Sequence, residues 1–232
     1  MAGGRPTIVL FDVDGTLVQT GGAGRRAMEH GFAQVTGRPD ACTGFSLAGM
    51  TDRAIARAGL RAVGTADTEA AIDAVLAAYL GALDRELAGA DGYRVLDGVV
   101  ELLAALAGRP DLAVGLGTGN LRDGARLKLA RGNLWRCFGF GGFGCDAEDR
   151  VALVRAGAER GAQALGAPLD HCAVWVVGDT ARDVNAAHGN GFFCLAVASG
   201  GADLAALRQC GPRAAVATLA DSAVVSLLSG AA

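Results

Sequence analysis

The sequence predicts an α/β protein: a parallel sheet with helices on both faces, interrupted by an all-helical insertion. Three observations carry this. From about residue 92 onward, short apolar runs alternate with stretches of helical period. Those runs, 112–116 (LAVGL) and 173–177 (AVWVV) among them, are apolar throughout instead of alternating, as strands covered on both faces must be. Between residues 25 and 88 only the helical period is present, which marks an inserted segment.

Taken in order, residues 1–6 read as a loose tail. Thr7–Phe11 (TIVLF) is the first buried strand, and the polar turn Asp12-Val13-Asp14-Gly15-Thr16 ends it. Residues 19–24 (QTGGAG) carry too much glycine for a helix interior and read as a flexible connection. A helix follows over 25–36. Thr51 stands as the N-cap of a second, to about residue 63. The third is the clearest: Ile72, Val75, Leu76, Tyr79, Leu80, Leu83 and Leu87 recur at three- and four-residue spacing. Residues 21–91 are thus expected to form a helical domain, hinged at Gly21-Gly22 and at residues 89–92. Residues 1–20 and 92–232 then form the core.

Beyond it the pattern gives a helix over 98–107, a strand over 112–116, a helix to about residue 131 and a short strand within the glycine-rich stretch 138–143. A helix over 148–165, a strand over 173–177, a helix over 183–189 and a strand over 192–197 follow. The tail reads as helices over 203–209 and 220–228 with a weak strand at 214–217.

Composition narrows the function classes. The chain has 232 residues, enough to bury a full core, and its 51% hydrophobic and 19% charged residues exclude disorder. Net charge is −3 with no run of lysine and arginine, so no nucleic-acid surface is expected. No segment approaches the roughly 20 apolar residues of a membrane span. The N-terminal apolar run is too short for a signal peptide, so a cytoplasmic location with reduced, mostly buried thiols is the expectation. The six cysteines lack zinc-site spacing, and His30, His171 and His188 read as surface residues. Residues 115–120 lack the third glycine of a dinucleotide fingerprint, and the glycines of 139–144 lack the Lys-Ser/Thr of a P-loop.

Asp12 and Asp14 lie two residues apart, so both leave an extended chain on one face. Two such charges at about 4 Å repel by roughly 4 kcal/mol in a protein-like dielectric. The pair therefore needs a cation, or one carboxyl must keep its proton. A solvated turn would account for the pair alone. It leaves unexplained that two later strands also end in polar groups, Thr118 and Asp179 with Asp183, where open α/β sheets place ligands.

The set Asp12-Val13-Asp14-Gly15-Thr16-Leu17, Thr118 at a strand end, a basic residue heading a helix and Gly178-Asp179-x-x-x-Asp183 resembles the haloacid dehalogenase superfamily of hydrolases, its phosphoglycolate phosphatase-like branch in particular. The resemblance spans nearly the whole chain and implies a Rossmann-like sheet with a helical cap. It implies a phosphomonoesterase acting on a small phosphorylated metabolite, with Asp12 as nucleophile and Asp14 as acid and base. Thr118, Gly119 and Asn120 would hold phosphate. Mg²⁺ would be held by the Asp12 carboxylate, the Asp14 main-chain carbonyl and Asp179, with Asp183 close by or through water. Arg150 is the best fit to the third motif, where lysine is more usual, and Lys128 competes. Lying in mid-helix, Lys128 is expected on a solvated face. Residues 49–53, Thr51 included, are expected to touch substrate.

Two rival functions stay open at this stage. A sugar-phosphate mutase would share the first motif and ask for extra cations, which Arg25, Arg26, Arg38, Arg53, Arg57 and Arg61 could supply. A non-catalytic phosphate-binding module would share the fold. Oligomeric state is not readable from the chain.

Overall fold

The computed structural model describes residues 5–229. The expected tail at 1–6 lies largely outside them; Arg5, inside, is held by its guanidinium to the carbonyls of Asp170 and His171 at 2.9 and 3.2 Å.

The chain runs β1 (Thr7–Phe11), β2 (Val18–Thr20), α1 (Ala23–Thr36), α2 (Asp52–Ala62), α3 (Glu69–Ala88), β3 (Tyr93–Val95) and α4 (Val99–Leu106). There follow β4 (Leu112–Gly117), α5 (Arg122–Arg131), β5 (Gly141–Gly142), α6 (Arg150–Leu165), β6 (Ala173–Gly178), α7 (Ala181–Gly189), β7 (Phe193–Val197), α8 (Leu204–Gln209), β8 (Ala214–Val216) and α9 (Ala223–Leu228). Six strands form one parallel sheet in the order β5-β4-β1-β6-β7-β8.

β1 is central and buried along its length. Its side chains divide between the two faces, as strand geometry requires. Val9 and Phe11 pack with Leu102, Leu116, Leu129 and Val177. Ile8 and Leu10 pack with Leu153, Val154, Val176 and Val184 under α6 and α7. Register then positions the site. Phe11 pairs with Leu116 on β4 and with Val177 on β6. The residues just beyond, Asp12, Thr118 and Asp179, therefore emerge together where the strand order reverses.

The helices between β2 and β3 surround an apolar cluster of their own, with Phe32, Ile55, Leu60, Ile72, Val75, Tyr79 and Leu83 at its centre. Thr51 and Thr68 cap α2 and α3, each hydroxyl accepting an amide three residues on, from Ala54 and Ala71.

Three readings need correction. The stretch at 19–24 is not wholly a loose connection. Val18–Thr20 pairs antiparallel with Tyr93–Val95, joining the two chain crossings into a ribbon. Two three-residue strands beside glycine are too short to show a period. The strand expected in 138–143 shrinks to Gly141–Gly142, because Phe138 and Phe143 turn into the core. Of the cysteines, Cys42, Cys172 and Cys194 are buried, whereas Cys137 and Cys145 are exposed. The three histidines are exposed, and no helix among the described residues is long and apolar enough to cross a membrane.

Candidate active site

The turn after β1 is shaped by Gly15, whose φ of 81° is left-handed; a Cβ there would lie 2.3 Å from Asp179 Oδ2. No other residue type fits that conformation so close to a carboxylate. Asp12 and Asp14 then open into a cavity of about 390 Å³, which Gly119, Asn120, Arg150, Asp179 and Thr180 also line. Gln19, Thr20, Gly22, Ala48, Gly49 and Met50 line it as well.

Asp12, Asp179 and Asp183 are buried, and one oxygen from each lies within 4.8 Å of the others. Burial raises the Asp12 carboxyl above the ordinary carboxylate range, and Arg150 opposes the shift. Asp179 is pushed up to about 8, by burial first and then by the charges of Asp12 and Asp183. Asp12 and Asp179, hard oxygen donors that repel each other in a buried site with Asp183 beside them, fit a divalent cation such as Mg²⁺. A cation among them would reverse the penalty.

Arg150 heads α6, and its buried guanidinium joins three groups. Nη2 lies 2.9 Å from Asp12 Oδ2 and 2.6 Å from Asp183 Oδ1, while Nη1 donates to the Gly49 carbonyl at 3.1 Å. The other Asp183 oxygen accepts from the main-chain N–H and hydroxyl of Thr180, at 3.0 and 2.7 Å. Both oxygens of Asp183 are therefore committed, to Arg150 and to the start of α7. The carboxylate reaches back over Gly178, where a Cβ would lie 2.1 Å from its Cγ.

Lys128 overturns the expectation of a solvated face. It is buried, with Nζ 2.7 Å from Asp14 Oδ2 and 2.6 Å from Asn120 Oδ1. Arg150 therefore meets Asp12 and Lys128 meets Asp14, so the two cations do not compete for one place. Asn120 Nδ2 also donates to Asp14 Oδ2, at 2.8 Å, and to the Thr118 hydroxyl at 2.9 Å. Thr118 is fully buried against Asp12, and hydrogen bonding from its hydroxyl favours the Asp12 carboxylate.

The residues expected at substrate divide. Gly49 and Met50 line the cavity; Thr51 does not. Its hydroxyl caps α2 and donates to the Glu148 carbonyl at 3.1 Å. Asp52, which sequence reasoning did not single out by itself, is buried and caps the loop before α5, accepting from the Leu121 N–H at 2.8 Å. A side chain of the helical segment is thus tied to the start of α5. Arg53 faces away and pairs with Glu69 and, at 2.8 Å, with Asp73. The glycines of 139–144 bring backbone against the site loop: Gly142 O accepts from Thr118 N–H at 3.0 Å, and Gly144 N–H donates to Asn120 O at 2.8 Å.

The chain is similar in fold to several solved structures. CbbY from Rhodobacter sphaeroides, in complex with phosphate, is 18% identical with a TM-score of 0.70, over 96% of this chain and 98% of that one. A predicted phosphoglycolate phosphatase from Haemophilus somnus 129pt is 16% identical with a TM-score of 0.67, over 95% and 97%. A protein assigned as a β-phosphoglucomutase from Bacteroides vulgatus is 18% identical with a TM-score of 0.66, over 99% and 91%. No protein of curated function matches the chain. Residues 6–191 match the family model of haloacid dehalogenase-like hydrolases, and the chain, with its carboxylates gathered at the switch of its parallel sheet, belongs to that family.

Proposed function

We propose that the protein is a Mg²⁺-dependent phosphomonoester hydrolase that works through an aspartyl-phosphate on Asp12. One observation carries the reading. Asp12 meets Arg150 at 2.9 Å and the carboxylates of Asp179 and Asp183 within 4.8 Å, at the floor of a cavity whose wall holds a second acid, Asp14.

In this account an Asp12 oxygen attacks phosphorus as the bond from phosphorus to the ester oxygen breaks. Asp14 gives its proton to that departing oxygen. It then takes a proton from the water that attacks the phosphoryl group, which frees phosphate and restores Asp12. Arg150 holds Asp12 in place and supplies fixed positive charge beside the nucleophile. Asp12, Asp179 and the Asp14 main-chain carbonyl would hold Mg²⁺, with Asp183 behind them fixing Arg150. When bound, Mg²⁺ supplies the charge that lets a carboxylate approach a phosphate dianion. We read residues 21–91 as a cap whose Ala48, Gly49 and Met50 close the cavity against water.

The mutase reading asks for a second anion site, and the cavity does not favour it. Among the described residues Arg150 is the one cationic side chain lining it. Arg26, Arg38, Arg57 and Arg61 pair with Glu86, Asp40, Glu148 and Asp67 at 2.7 to 2.9 Å. Arg53 is paired as described, and Arg25 lies 3.3 Å from the Cys42 carbonyl and 3.8 Å from Glu29.

Release of phosphate from an aryl phosphate, with and without Mg²⁺, tests the proposal. Mg²⁺-dependent release that is lost in Asp12→Asn is the expected result. Release that persists in that variant, or none from folded wild type with Mg²⁺ present, would sink it.

A further inference from the structure

Lys128 is the only lysine in the chain; the other 20 of its 21 basic residues are arginines. It lies in the last turn of α5, yet its side chain is buried, 5% exposed. An ammonium carries three donors on a slim stem, and two of them are taken by side-chain oxygens here. Asp14 Oδ2 and Asn120 Oδ1 accept at 2.7 and 2.6 Å, and the Tyr79 hydroxyl from α3 stands beside it. A planar guanidinium does not reproduce that arrangement. Burying a charge in this way is costly unless it is paired, so the position calls for a reason.

The contacts on Asp14 are one-sided. Lys128 and Asn120 both donate to Oδ2, at 2.7 and 2.8 Å, and no donor among the described residues reaches Oδ1. Asp14 nonetheless lines the cavity, its side chain 42% exposed. We propose that Lys128 is a positioning residue for Asp14: with Asn120 it anchors Oδ2, so that Oδ1 carries the proton to the departing oxygen. This rests on the reading of Asp14 as the acid of the phosphatase reaction. Tyr79 belongs to the helical segment, whose Asp52 bonds the Leu121 N–H, so Lys128 lies where that segment seats on α5.

The test is the dependence of kcat/KM on the leaving group, which reports the steps up to departure of the alcohol. Wild type and Lys128→Met are compared on phenyl phosphates running from p-nitrophenyl to unsubstituted phenyl. A stable leaving anion needs little protonation and a basic one needs it fully. Correct acid catalysis is worth about 10²–10⁴-fold. Lys128→Met is therefore expected to lose under about tenfold on p-nitrophenyl phosphate and about 10²-fold or more on phenyl phosphate. If Lys128→Met does not fold, Asn120→Ala removes the other donor to Oδ2 and is expected to steepen the same dependence. An equal loss on every ester would show a merely structural lysine and overturn the proposal. A second readout does not use activity. Labelling lysine with ¹³C and ¹⁵N gives a single side-chain spectrum, and Asp14→Asn is expected to shift its ζ resonance. If wild type hydrolyses nothing, the phosphatase reading fails, and an unshifted resonance in Asp14→Asn overturns the anchor independently.

Discussion

Arg150 Nη2 stands 2.9 Å from Asp12, and the same nitrogen meets Asp183 at 2.6 Å. Breaking a buried pair of this kind leaves a charge without its partner, at a cost of about 3–5 kcal/mol. Arg150→Met is therefore expected to lower the denaturation midpoint as well as activity. Where it folds, loss of one preorganised charge should lower kcat by about 10²–10³-fold, measured by phosphate release at saturating substrate. Arg150→Lys keeps the charge but has no second nitrogen for the Gly49 carbonyl, which Arg150 holds through Nη1, and its kcat is expected between the two.

Asp179 supplies a test of metal binding apart from catalysis. A ligand that binds only the folded state stabilises by about 2.7 kcal/mol at a hundred times its Kd. Mg²⁺ is expected to raise the melting temperature of wild type and to leave that of Asp179→Asn unmoved. Without metal the variant should be at least as stable as wild type, because it removes a carboxyl pushed up to about 8 by burial and by Asp12 and Asp183. A chelator is expected to abolish activity, with Mg²⁺ restoring it.

Burial pushes Asp52 up to about 6, against the opposing pull of Lys128 and the Leu121 N–H. The folded state thus binds this proton more tightly than the unfolded state, whose value is the ordinary 3.8. The contribution is present below pH 4 and is lost as pH rises to 6. Asp52→Asn removes that loss. Its stability relative to wild type should improve by on the order of 2 kcal/mol between pH 4 and pH 7, measured by denaturant unfolding at each pH.

The lining of the cavity predicts selectivity. Arg94 lies on the ribbon and donates to Gln19 at 3.0 Å, and Ala48, Gly49 and Met50 carry no charge. Phosphate esters of small uncharged alcohols are expected to be turned over with higher kcat/KM than sugar bisphosphates or esters that also bear a carboxylate. A panel of both kinds, assayed at equal concentration, checks this.

Much of this arrangement was legible in the chain. Asp12, Thr118 and Asp179 each follow an apolar run, so the parallel sheet and its loaded edge could be read together. The membership of the family follows the same residues. Lys128 was not legible, because a lysine within a helix reads as solvated until Asp14, Asn120 and Tyr79 are known to converge on it. Asp52 was hidden for a similar reason: its partner, Leu121, is distant in sequence. The Val18–Thr20 and Tyr93–Val95 strands gain their order from each other. Thr51 was legible as a cap, and its second bond, to Glu148, explains why it faces the fold instead of the cavity.

The most direct measurement is to trap the covalent intermediate. The protein would be mixed with Mg²⁺ and an aryl phosphate, quenched in acid within the first turnover, digested and sequenced by mass spectrometry. With pepsin digestion in acid, where an aspartyl-phosphate survives, the expected result is phosphate on the peptide that carries Asp12, at Asp12, and none in Asp12→Asn. Turnover with phosphate on no residue, or on a residue other than Asp12, would contradict the account.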